Sequence, residues 1–158
     1  MDTLQLEKKG KQIIGSDTFK GVFPAHHPNI ETFLTSYPDQ TWSIILNTDT
    51  KKYPGQHWVA LLCDVTNNTS YFFDSYGYSA RHHHQDWALL LNTYLRYKWD
   101  NKKRVQYASN TCGLHCLFFL DKVTHSASSA NTVVNNMSDD VVVKWGRHHN
   151  IKLSNKMF

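Results

Sequence analysis

An α+β domain is what this sequence predicts, and four stretches predict it. Trp42–Asn47 and His57–Val65 are near-continuous apolar runs rich in bulky and β-branched residues, each the length of a buried strand. Residues 86–99 set Trp87, Leu90, Leu91, Tyr94 and Leu95 at helical spacing, with Trp99 near the end. From Cys112 onward, Leu114, Leu117, Phe118, Phe119 and Leu120 form a stripe too wide for an exposed helix, so that helix belongs inside the core. Strands and helices grouped in runs, without strict alternation, argue for α+β. No internal repeat is visible.

The remaining elements follow in order. Residues 1–16 read as a polar lead-in with a short first helix ending near Gly15-Ser16. Phe19–Pro24 is apolar but punctuated by Gly21 and Pro24, which predicts an irregular segment packed on the core. Asn29 is placed to cap a short helix through Ile30, Phe33 and Leu34, closed by a turn at Tyr37-Pro38-Asp39. A polar loop spans Thr48 to Gln56 between the first two strands. Thr66–Thr69 carries turn chemistry, Tyr71–Asp74 is the returning strand, and Ser75-Tyr76-Gly77 leaves it. Asn101–Arg104 is a basic turn, and Val105-Gln106-Tyr107 a short strand-like lead into the core helix. Residues 126–132 read as a loop, after which Ser138-Asp139-Asp140 caps a last helix through Val141, Val142, Trp145 and His148.

With 158 residues the chain is expected to form one domain, 1–158, burying roughly 70% of its unfolded surface. Hydrophobic residues at 41% and aromatics at 13% supply a core. No apolar run approaches the roughly 20 residues of a transmembrane helix. The N-terminus lacks the apolar centre of a secretion signal. Three cysteines, Cys63, Cys112 and Cys116, are too few and odd in number for a disulfide scaffold, which points to a reducing compartment. A net charge of +4 permits contact with nucleic acid without demanding it. The densest basic cluster is Lys98, Lys102, Lys103 and Arg104; its ordinary reading is solvated surface, its functional one a DNA contact.

Chemistry concentrates in Gln106–Val123. Cys112 opens the core helix, where unpaired amides and the positive dipole end favour a thiolate. Gln106 lies six residues earlier, near enough to swing a side-chain amide over the sulfur. A nucleophilic cysteine needs a base, a group to orient it and donors for an oxyanion. Of ten histidines, His57 opens a strand that runs into a hairpin. A two-residue hairpin loop at Thr66-Asn67 or Asn67-Asn68 makes paired residue numbers sum to an odd value, which sets position 57 on the same face as 74. A three-residue loop would separate them. Asp64, seven positions along the same strand, faces away, so Asp74 is the carboxylate of choice.

From His57-Trp58 through Phe73-Asp74 and Gln106 to Cys112-Gly113-Leu114-x-Cys116, the chain resembles the adenain-like cysteine proteases of adenoviruses and Maverick/Polinton elements. It also resembles their relatives, the cellular SUMO proteases. Ile44–Thr48 before the Gly55-containing loop, Phe72–Gly77, and Phe19–Pro24 tilt the likeness to the adenain side; together it spans residues 17–124. The resemblance implies a papain-like, adenain-type fold: a central mixed β-sheet against a buried helix bearing the nucleophile, with flanking helices. It implies Cys112 as nucleophile, His57 as base and then acid, and Asp74 as the group that orients the imidazole. Gln106 and the Cys112 backbone N–H then form the oxyanion hole, and Trp58 and Gly113 border a narrow, glycine-selective groove. The implied activity is cleavage of viral capsid or core precursors by a monomer, in the virion and in the nucleus or cytoplasm of the infected cell. No cofactor is required and no metal is expected, while DNA or a viral peptide remain candidate activators. Asp74 stands where adenoviral adenain has Glu, and the chain is short for that family. No cysteine is obvious for a disulfide-linked activator.

Two other readings compete. A deconjugating protease acting on SUMO-type proteins would use the same residues and differ in its docking face. A metal- or nucleic-acid-binding module would draw on His82-His83-His84, His115, Cys112 and Cys116, but there is no Cys-x-x-Cys pair.

Overall fold

The computed structural model describes residues 1–24, 30–48 and 57–153. Helix α1 (Thr3–Ile13) starts in a capping box: the Asp2 carboxylate accepts from Gln5 N–H, and the Gln5 side chain accepts from Asp2 N–H. Strand β1 (Phe19–Pro24), helix α2 (Ile30–Ser36) and strand β2 (Thr41–Asn47) follow. Strands β3 (Trp58–Asp64) and β4 (Thr69–Phe73) form the hairpin. Helices α3 (Ala80–His83) and α4 (Gln85–Tyr94) lead to β5 (Tyr97–Asp100). The chain closes with α5 (Cys112–His125), α6 (Ala130–Asn135) and α7 (Asp139–His148). Among the described residues, no helix is long and apolar enough to cross a membrane.

The five strands form one mixed sheet in the order β1-β2-β3-β4-β5. The inner pairs β2–β3 and β3–β4 are antiparallel, and the outer pairs β1–β2 and β4–β5 are parallel. Parallel neighbours need a crossover, and helices supply both: α2 between β1 and β2, α3 and α4 between β4 and β5.

Alternation along the strands divides the core in two. Ile45, Ala60, Leu62 and Phe73 pack with residues of α1, α5, α6 and α7 on one side. Ile44, Leu46, Val59, Leu61 and Phe72 pack with residues of α2 and α4 on the other. Sheet residues buried on both faces explain why β2 and β3 read as unbroken apolar runs. Every residue of α5 from Cys112 to Leu120 is buried, as its wide stripe requires. Phe119 stacks between Phe73 of β4 (4.6 Å) and Trp99 of β5 (5.3 Å), locking this helix to the sheet.

Four segments depart from the sequence expectation. Phe19–Pro24 is a strand, because an edge position tolerates both irregularities. The register shifts between Phe19 and Val22, where Gly21 adopts φ +135°. The helix expected over 86–99 ends at Tyr94; Leu95 is already extended (φ −125°, ψ 134°), and Tyr97–Asp100 pairs with Thr69–Phe72. Trp99 thus reaches the core from a strand, and its helical spacing from Leu95 is incidental. The loop at 126–132 is shorter than expected because Ser129 caps α6 through Thr132 N–H. Val105–Tyr107 lies outside the sheet, although Val105 N–H and Gln106 N–H both donate to Ser75 O. The cap assigned to Asn29 and most of the loop at 48–56 lie outside the described residues.

Replacing Phe119 by Ala empties the middle of the stack. We expect a loss of about 3–5 kcal/mol in urea unfolding, with Phe119→Leu losing less.

Candidate active site

The hairpin sets the first part of the site. Its ladder pairs Ala60 with Phe73 through Asp64 with Thr69, so paired numbers sum to 133, the register of a Thr66-Asn67 loop. Asn68 N–H closes that turn on Val65 O, and Asn68 takes φ 57°. Extending the register sets Asp74 opposite Val59 and His57 one diagonal step on, just beyond the strand ends. The side chains meet there: His57 Nε2 is 2.7 Å from Asp74 Oδ1. Asp64 is elsewhere, bonded to Asn67 and Thr41.

Asp74 is fully buried, so its charge requires partners. Tyr76 N–H donates to Oδ1 at 2.8 Å, and His83 Nε2 lies 2.6 Å from Oδ2. The Asp74 backbone is held as well: its N–H donates to Asn101 Oδ1 at 2.9 Å, and its carbonyl accepts from Asn101 Nδ2 at 2.6 Å. Burial alone would raise the Asp74 pKa, but the hydrogen bonds from His57 and His83, the His57 charge and the Tyr76 amide outweigh it. The carboxyl is held well below its usual range. Burial likewise opposes charge on His57. Hydrogen bonds to Asp74 and Cys112, and their negative charges, prevail and push its pKa up to about 9. Since Nε2 faces Asp74, Nδ1 is the ring nitrogen left for the thiol. The Tyr76 ring lies parallel to the imidazole at 4.5 Å and fixes its plane.

Cys112, the nucleophile expected from sequence, arrives from the other side. Cys112 is the first residue of α5, and its Thr111 N-cap makes no side-chain cap bond. Thr111 Oγ1 instead donates to Asp139 Oδ1, 2.9 Å away. Asp139, in the first turn of α7, also accepts from Tyr107 N–H and Ala108 N–H at 2.8 Å and from His115 Nε2 at 2.9 Å. One carboxylate thus ties the loop before Cys112 to the helix after it. Burial opposes the Asp139 charge, but these donors hold its pKa below the ordinary carboxylate value. His115 has its pKa lowered by burial, which outweighs Asp139, so it donates Nε2–H as a neutral imidazole.

Gln106 is fully buried between the two halves. Its Oε1 accepts from Ser75 Oγ, and its Nε2 donates to Ala108 O at 2.7 Å, which leaves one amide N–H uncommitted by these bonds. Gly77 (φ +84°) permits this stitching, because a Cβ there would stand 3.0 Å from Lys102 O.

Trp58 and Gly113, the groove residues expected from sequence, meet where α5 packs on β3. Trp58 is 4% exposed, and a Cβ on Gly113 would meet Leu6 Cδ2 at 2.9 Å and Trp58 Cδ1 at 3.4 Å. The missing side chain at Gly113 lets α5 close on β3. Cys116 Sγ–H donates to Trp58 O (3.3 Å) in the same contact.

The basic cluster divides. Lys98, Lys102 and Lys103 line an open pocket of about 420 Å³ with Trp99 and Asn131. Arg104 instead sits over the rings of Tyr76 (5.0 Å) and Tyr107 (4.8 Å), and its Nε donates to Gln106 O. Sequence reasoning also missed Tyr76, Asn101 and Asp139, and took His83 only as one of a triplet. A first-turn aspartate that could serve a loop as well as a helix was the one visible signal.

The family model described as adenovirus endoprotease matches residues 19–144. No curated protein sequence matches the chain. Two crystal structures of the ASFV pS273R protease share the fold. One gives a TM-score of 0.74 at 16% identity, covering 97% of this chain and 67% of that one. The other, with selenomethionine, gives 0.67 at 17%, covering 98% and 68%. The SUMO protease Ulp1 matches at TM-score 0.48 and 13% identity over 85% of this chain and 72% of its own.

The electrostatics predict a titration. His57, ordinarily near 6.5, should hold its proton to about pH 9. Its folded pKa being the higher, it contributes stability fully present below 6.5 and lost as pH rises through 9. Imidazole NMR should show Asp74→Asn lowering that pKa; an unchanged value would remove Asp74 as its cause.

Proposed function

Since the chain belongs to the adenovirus endoprotease family and is a cysteine protease, we propose that it is a viral-type endopeptidase that cleaves precursor polypeptides near glycine. The observation that carries the mechanism is His57 hydrogen-bonded at once to Asp74 and Cys112. In the proposed reaction, His57 takes the thiol proton through Nδ1 and Cys112 Sγ attacks the peptide carbonyl. The tetrahedral oxyanion is met by the Cys112 backbone N–H, at the amino end of α5, and by the remaining N–H of Gln106. His57 then gives its proton to the leaving amine. Water hydrolyses the thioester, with His57 again as base. Asp74 holds the ring and stabilises its cation throughout.

The other cysteines support Cys112 as the nucleophile. Cys63 and Cys116 are fully buried, and burial pushes both thiols up. Their burial also favours activation without a disulfide-linked peptide. The lysine-lined pocket beside β5 keeps DNA a candidate activator, carried by Lys98, Lys102 and Lys103 rather than Arg104.

Cys112→Ala and His57→Ala should abolish peptide hydrolysis with thermal melting retained. Gln106→Ala should lower kcat by about 10²–10³-fold, the usual cost of one oxyanion donor; a loss below tenfold would give Gln106 a purely structural task.

Substrate choice is tested by offering glycine-containing precursor peptides against SUMO-type fusions, each with and without duplex DNA. Preference for the peptides, raised by DNA, fits the proposal. Strong preference for the folded fusions would reassign the enzyme as a deconjugase.

A further inference from the structure

Asp74 is shared by two histidines, and only one of them is used by the proposed mechanism. His57 Nε2, the Asp74 carboxylate and His83 Nε2 lie within 4.8 Å of one another. The carboxylate is fully buried, whereas the two imidazole side chains are 16% and 13% exposed, which leaves an approach from solvent along their edges. His83 is carried by the short helix α3, whose Ser79 cap sets its position, and it packs on Phe72 and edge-on to Tyr78.

From this convergence we propose that His57, Asp74 and His83 form an inhibitory site for a zinc-type divalent cation. Two imidazole nitrogens and one carboxylate are a donor set suited to zinc and its first-row neighbours, and poorly suited to calcium or magnesium. Tetrahedral zinc holds such atoms about 3.3–3.5 Å apart. The hydrogen-bond contacts of 2.7 and 2.6 Å need to open slightly, and the nitrogens to close. Water supplies the fourth ligand.

The proton count is simple. Each imidazole gives up its Nε2 proton, to solvent or to its own Nδ1. Both Nε2 lone pairs then go to the cation. His57 keeps Nδ1–H towards Cys112 and has no lone pair left to receive the thiol proton. Hydrolysis stops with the cysteine untouched. This consequence rests on the protease mechanism; the binding does not.

The test uses the full chain carrying Cys112→Ser, which removes the thiolate as a competing ligand. Calorimetric titration with zinc chloride should give one bound ion. Adding His83→Gln should weaken binding at least tenfold, and magnesium should not bind. In the Cys112 enzyme, His83→Gln should raise the zinc concentration for half-inhibition at least tenfold, each variant normalised to its own metal-free rate. Should His83→Gln not fold, imidazole nitrogen NMR of Cys112→Ser decides, with Nε2 of both His57 and His83 shifting on zinc addition. Zinc binding that ignores His83, or needs Cys112, overturns the site. Binding as expected by an inactive parent enzyme would leave the site standing and remove the protease mechanism instead.

Discussion

A single buried negative charge organises this molecule. Asp74 has no exposed surface, and an isolated carboxylate in such a place would take up a proton sooner than keep its charge. It remains ionised because two imidazoles and the Tyr76 amide surround it. Those partners must be at hand in the folded chain, and the sheet delivers them. The β3–β4 register brings His57 across the hairpin, and the turn after β4 presents Tyr76. Helix α3 returns His83 to the second oxygen. The parallel neighbour β5 ends at Asp100, and the next residue, Asn101, takes both backbone groups of Asp74 through its side chain as a continuing strand would. The geometry around Asp74 is therefore a continuation of the sheet by side chains, past the point where its ladder ends.

The proposed nucleophile, Cys112, belongs to a second unit, built by different means. Helix α5 is held against β3 by close approach, with Gly113 letting Leu6 and Trp58 reach its first turn. The loop ahead of it has no regular structure, and Asp139 replaces that structure by accepting three hydrogen bonds from the loop and a fourth from His115 of α5. Gln106 joins the two units, bonded to Ser75 on the sheet side and to Ala108 on the loop side. A residue committed on both sides has little rotational freedom, which suits the oxyanion role proposed for it: pre-organisation before charge develops.

How much of this was legible in the sequence follows from the range of each interaction. β2, β3, α5 and the cap at Ser138 depend on apolar patterning or on neighbours within four residues, and both kinds of signal can be read along the chain. Hairpin parity carried this further and selected Asp74 over Asp64. What parity could not show was His83, because α3 is a single helical turn whose placement depends on the crossover. Nor could it show Asn101 and Asp139, whose partners in the site lie 24 to 32 residues away. The strands at Phe19–Pro24 and Tyr97–Asp100 were hidden for a related reason. Both are outer strands in parallel pairing, where a bulge or a four-residue length leaves little periodicity to read.

The identity of the central acid follows from the same local geometry. Asp74 Oδ1 receives Tyr76 N–H, two residues on, which makes the carboxylate part of its own turn. That turn also carries Tyr76 onto the His57 ring and brings Gly77 N–H back to Asp74 O. A glutamate has one more methylene, so its carboxylate would stand beyond reach of this amide in the same backbone. Meanwhile His83 already fills the space past Oδ2. The choice of aspartate at this position is thus coupled to the second histidine: the short side chain keeps the charge close to the strand, and α3 comes in to meet it.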